Sequence, residues 1–167
     1  MSDPDSYFIY DTVVDGTHRY FASLLPHDTG FATGLRGEAI IGEFTSGPEV
    51  LTPDAFQQNP QFIQFMAYAI GKHCMACPGL VAETQRQQNG FVYILDKRTP
   101  TPDDRVPPED IIGGVEIQNG QMIRFHGSPN YRILTARGFM QLDEWLRDRI
   151  VEELVLIAGS GGDAKPE

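Results

Sequence analysis

The chain has 167 residues, 41% of them hydrophobic and 22% charged, the proportions of one globular domain long enough to bury a core without covalent staples. Its 23 Asp and Glu against 13 Lys and Arg leave a formal net charge of −10, which repels phosphate backbones and anionic membranes and favours a basic protein as partner. Two cysteines make no disulfide framework, the first residues do not follow a leader pattern and no apolar run reaches membrane-span length, so a reducing cytoplasm is the expected location.

The first elements are two strands, residues 7–14 and 17–25, flanking Asp15-Gly16. Asp-Gly supplies the positive φ angles of a type I′ turn, and a two-residue loop fixes the register. Tyr10 is then expected opposite Phe21 and Ile9 opposite Ala22. Residues 26–37 are rich in turn formers and read as a loop. A phosphate cradle requires a helix N-terminus after its glycines, and here a strand is expected to follow, with no lysine of the P-loop type. Residues 38–45 read as a third strand.

Thr52-Pro53, Asn59-Pro60 and Cys77-Pro78 mark helix starts, since proline at the first helical position forfeits only an N–H that would be unpaired anyway, and threonine and asparagine are good caps before it. A short turn is expected from Pro53. A helix over residues 60–73, apolar on two sides, is the expected buried centre of the fold. A further helix should run from Pro78 to about Gln88.

Between these helices lies His73-Cys74-Met75-Ala76-Cys77. Two cysteines at this spacing can bind a metal or form a redox disulfide, with His73 as a further ligand and Cys77 at a helix N-terminus. A structural zinc site needs four ligands and there is no second cysteine pair. The reading adopted is two buried cysteines in a helix–helix corner, with a redox or metal site as the alternative.

Residues 91–95 form a continuous apolar run, expected as a central strand buried on both faces. Residues 97–108, rich in proline and aspartate, read as a surface loop. Asp103, Asp104, Glu109 and Asp110 make it acidic. Asn119-Gly120 marks a second I′ hairpin between residues 111–117 and 121–126, with Ile117 opposite Met122. Residues 131–135 suit a short strand. Leu142, Leu146, Ile150, Leu154 and Ile157 recur at helical spacing, so a helix is expected over residues 143–158, stopped by the glycines at 159–162.

The order 91–96, then Val106-Pro107-Pro108-Glu109-Asp110-Ile111-Ile112-Gly113-Gly114-Val115, then Asn119-Gly120 and Pro129-Asn130-Tyr131-Arg132, resembles the C-terminal part of ADP-ribosyltransferase domains of the enterotoxin A-chain type. It covers about the middle third of the chain. The resemblance implies a related sheet. Those enzymes carry a Glu-x-Glu pair where this chain has Asp103-Asp104-Arg105, and their Ser-Thr-Ser motif is absent. Arg19 is the candidate for their strand arginine.

The expected fold is therefore α+β: a mainly antiparallel sheet with two tight hairpins, a buried central helix pair and a long C-terminal amphipathic helix. One domain is expected over residues 1–158, with 159–167 as a flexible tail. The expected function is binding. A small acidic protein with no convergent nucleophile, base or metal set suits one that neutralises or escorts another protein, as an immunity protein does. Asp103, Asp104, Glu109 and Asp110 are its expected contacts, and no cofactor is expected. The alternative is an enzyme, of the ADP-ribosyltransferase kind or using Cys74 and Cys77.

Overall fold

The computed structural model describes residues 7–98 and 106–164. The first hairpin joins β1 (Phe8–Val14) to β2 (Thr17–Ser23). Asp15 and Gly16 have φ of 52° and 79°, as a type I′ turn demands. Tyr10 pairs with Phe21 and Ile9 with Ala22, the register expected from a two-residue loop.

The glycine-rich segment after β2 is not all loop. It contains α1 (His27–Thr33), entered from Pro26 and ended by Gly34 at φ 81°. What favours a helical turn here is packing. His27 and Phe31, four residues apart, stack on one another and meet the Tyr10 ring edge-on, at centroid distances of 4.8 and 5.5 Å. Gly30 permits it, because a Cβ there would overlap the Tyr10 ring. The Tyr10 hydroxyl donates to the carbonyls of Leu25 and Pro26.

The third strand is shorter than expected. Gly37–Ala39 coil into a 3-10 turn, leaving β3 (Gly42–Phe44). The turn from Pro53 ends in a strand not expected from the sequence, β4 (Phe56–Gln58). The four strands form one antiparallel sheet in the order β1-β2-β3-β4.

Asn59 caps α2 (Pro60–His73). Its side chain accepts from the Gln61 N–H, while its amide group donates to the carbonyls of Gly37 and Ile40 at 2.8 Å. The cap therefore also fastens the helix start to the approach to β3. Phe62, Phe65, Met66, Ala69 and Ile70 form its buried stripe. A 3-10 turn at Cys74–Ala76 leads to α3 (Pro78–Gln87).

The second sheet holds β5 (Gly90–Leu95), β6 (Ile111–Gln118) and β7 (Gln121–Gly127), all antiparallel, in that order. Asn119 and Gly120 make the second I′ turn, at φ 50° and 75°, and Ile117 faces Met122. The apolar run 91–95 is an edge strand rather than a central one. Helices α2 and α3 contact this sheet, and Val92 and Ile94 are buried, while Phe91 and Tyr93 remain 42% and 58% exposed. These two rings lie over Gly114, whose missing Cβ gives them room.

A two-stranded ribbon, β8 (Leu134–Thr135) with β9 (Gly138–Phe139), precedes α4 (Glu144–Ala164). The helix continues through the glycines expected to stop it. Glycine lowers helix stability but, unlike proline, keeps its N–H. Helix α4 packs on α2. Phe44 of the first sheet, Val115 and Ile117 of the second, Phe62 and Ile70 of α2, and Ile150 and Leu154 of α4 are fully buried in one core. Burying each such side chain is worth roughly 1.5–3 kcal/mol. The fold is α+β with antiparallel sheets, hairpin-linked strands and a C-terminal helix. Among the described residues, no helix is long and apolar enough to cross a membrane.

Candidate functional site

An ion cluster forms where β5 ends. Asp96 follows the strand and Arg98 lies two residues on. Asp110 closes a 3-10 turn, Pro108–Asp110, just before β6. All three are buried, with relative exposures of 1%, 7% and 0%. The Arg98 Nε donates to Asp110 Oδ1 at 2.8 Å and sits 3.6 Å from Asp96 Oδ1. Its two Nη atoms donate to the carbonyls of Ile133, Gly138, Glu109 and Arg132. A planar guanidinium with five donors suits a site that offers carboxylate and carbonyl oxygens from several directions.

Asp96 accepts from the Tyr131 hydroxyl at 2.6 Å and from the N–H groups of Arg98 and Gln141. Burial pushes its pKa upward, opposed first by the Tyr131 hydrogen bond. Burial, with Asp96 beside it, holds the Tyr131 phenol well above its ordinary value. Arg137 reaches Asp110 Oδ2 at 3.0 Å and Glu109 Oε2 at 3.2 Å, and these bonds, that to Asp110 foremost, raise its pKa.

The cluster lies behind a cleft of about 810 Å³, holding two of its lining residues, Glu109 and Arg132, by their carbonyls. Phe56, Gln57 and Gln58 of β4 form one wall. The other comprises Pro108 and Glu109, then Asn130, Arg132, Leu134 and Thr135. Gln58 Oε1 accepts the Ile133 N–H at 2.9 Å and so ties the walls together. The Arg132 N–H donates to the Glu109 carbonyl at 3.1 Å. Arg132 is exposed and forms no ion pair with a described residue. The described lining is thus carboxamides, one guanidinium, one carboxylate and a hydroxyl, with Phe56 and Leu134 among its apolar surface.

No family model, curated protein or solved structure matches the chain. The geometry alone therefore decides what each residue singled out in the sequence can do. Glu109 stands at the cleft, its side chain 38% exposed. Asp110, expected on a solvated loop, is instead sealed in the ion cluster. Arg98 and Arg137 supply the counter-charge that makes its burial tolerable, and its role is to fix the cleft wall. Asp103 and Asp104 lie outside the described residues.

Cys74 and Cys77 are free and buried in the core at 2% and 4% exposure. Burial pushes the Cys74 thiol upward, away from a reactive thiolate. His73 Nε2 lies 2.8 Å from Glu153 Oε2 of α4, which Lys72 also contacts at 2.9 Å. Among the described residues, no three His, Cys, Asp or Glu side chains converge to hold a metal ion. Arg19 is gripped by both carboxylate oxygens of Glu43, across the first sheet. Arg98, Asp96, Tyr131 and the cleft amides escaped the sequence reading, because their meeting depends on contacts between residues up to 75 positions apart.

Proposed function

We propose that the protein binds another protein through the cleft between β4 and the segment 130–135, neutralising or escorting it in the manner of an immunity protein. The observation that carries this is the cleft itself. It presents hydrogen-bonding side chains that hold rather than react, on a wall anchored by the buried Arg98 cluster. The net charge of −10 supports a basic partner and argues against nucleic acid. A cytoplasmic location belongs to the same proposal, and two free buried thiols suit a reducing compartment.

The test is affinity capture from extracts of the native host, followed by association kinetics of the purified pair at two salt concentrations. The association rate should fall steeply with salt, because exposed charges are screened beyond roughly 8 Å at physiological ionic strength. Glu109→Gln should slow association further. Recovery of no protein partner, together with a rise in melting temperature on adding a dinucleotide, would favour the ADP-ribosyltransferase-like enzyme instead.

A further inference from the structure

Strand β4 ends its sheet, and three consecutive residues of it line the cleft. Alternate side chains of a strand point to opposite faces, so a hollow that meets all three meets the strand's edge. The hydrogen-bond phase says which groups that edge offers. The Thr45 N–H donates to the Ala55 carbonyl at 2.9 Å and the Asn59 N–H to the Ile41 carbonyl at 2.8 Å. In the pairing of Gly42 with Gln58, Glu43 with Gln57 and Phe44 with Phe56, residues 55, 57 and 59 therefore turn their backbone groups toward β3. Phe56 and Gln58 turn theirs outward. The Phe56 N–H is taken by the Pro53 carbonyl, which leaves the Phe56 carbonyl and the Gln58 N–H. No described backbone group pairs with either.

From this edge we infer that the cleft takes an extended peptide segment, which adds to β4 as a fifth strand. The inference rests on the binding function proposed above and names its mode. Natural edge strands are guarded by shortness, lysine, proline or a bulge; β4 is short, at 3 residues, but its sequence Phe-Gln-Gln carries no lysine or proline. The space beside it is open, about 810 Å³. The far wall is made partly by β8, which among the described residues pairs only with β9. An added strand would place main-chain groups against Phe56 and Gln58, one set of alternate side chains over Phe56 and Leu134, and the other toward solvent. The occupant is an extended segment of a basic partner protein: the chain's net charge of −10 draws that partner, while the lining itself, Arg132 with Glu109, is close to neutral and sets no charge on the segment.

The probe is a phage-displayed library of random 12-residue peptides, selected on the intact protein. Selected peptides should alternate in hydrophobicity with period two. Synthetic copies N-methylated at alternate residues should lose at least tenfold in affinity, while methylation at the intervening residues is tolerated. Gln58→Pro, which removes an outward N–H, should weaken binding at least tenfold. Gln58→Ala, which keeps that N–H while losing the carboxamide and its tie to Ile133, should weaken binding less than Gln58→Pro does. The N-methyl series uses the wild-type protein, so it stands even if the proline variant misfolds. Methylation effects without period two, or no selected peptide at all, would overturn the strand-addition mode while leaving a captured partner and the binding function intact. Period-two peptides without any captured protein would do the reverse. A wild-type dimer that Gln58→Pro converts to monomer would make a second copy the occupant and sink the proposal.

Discussion

Replacing Arg98 with methionine keeps an apolar stem of similar length but removes the guanidinium from between Asp96 and Asp110. Both carboxylates stay buried. Asp96 keeps the Tyr131 hydroxyl and two N–H donors, and Asp110 keeps Arg137. The carbonyls of Ile133, Gly138, Glu109 and Arg132 lose a donor. Removing one partner of a buried ion pair costs about 3–5 kcal/mol. Surviving donors keep the loss from rising far above that, so about 4 kcal/mol is expected for Arg98→Met. With a urea slope of about 2 kcal/mol per molar, the unfolding midpoint should drop by about 2 M. The control is Glu109→Gln, which touches only the half-exposed bridge to Arg137. Such a bridge is worth about 0–1 kcal/mol, or under about 0.5 M of midpoint. Urea melts followed by far-UV circular dichroism measure both. If Arg98→Met shifts the midpoint no more than Glu109→Gln does, the cluster is hydrated and the reasoning from burial fails.

Two further outcomes follow from other buried groups. Glu153, 7% exposed, is held below its ordinary pKa first by Lys72 and then by His73; its contribution is present above the unfolded value and is lost as pH falls through the folded one, so Glu153→Gln should flatten the loss of stability below about pH 5. Asp96, raised by burial, slopes the opposite way, and the difference between wild type and Glu153→Gln in urea midpoints across pH isolates Glu153 from it. The thiols of Cys74 and Cys77 should react with a thiol reagent only as the protein unfolds, and Cys74→Ser with Cys77→Ser should cost about 1–3 kcal/mol in buried hydroxyls while leaving partner binding unchanged. Rapid stoichiometric labelling of the native protein would contradict the buried placement.

The features legible in the sequence were those whose cause is local. Asp15-Gly16 and Asn119-Gly120 had to turn tightly because few other residue pairs tolerate two positive φ angles in succession. Pro60 after Asn59 announced its helix because cap and first turn lie within four residues. Tertiary context overrode the rest. Phe91 and Tyr93 read as buried because an apolar run does not say how many faces of a sheet are covered, and here helices cover one. His27 to Thr33 read as a loop because glycine's low helix propensity outweighed, on paper, the ring packing on Tyr10. Asp110 read as solvated because its counter-charges, Arg98 and Arg137, lie 12 and 27 residues away. The cleft was invisible for the same reason, since its two walls meet only through contacts such as that between Gln58 and Ile133.

That separation of the walls has a bearing on biosynthesis. The sheet that ends in β4 is complete once residue 58 has emerged, yet the Phe139 ring that packs on Phe56, with centroids 5.6 Å apart, and the far wall of the cleft belong to a part of the chain made much later. At a ribosomal rate of about 5–20 residues per second, the nascent chain carries that edge without its far wall for roughly 4–16 s. An unshielded strand edge is a template for intermolecular pairing, so crowded polysomes are where this protein is most exposed to mispairing with its own copies. A cognate peptide present during synthesis would meet the same edge before its far wall exists, which makes co-translational capture a second route to occupancy.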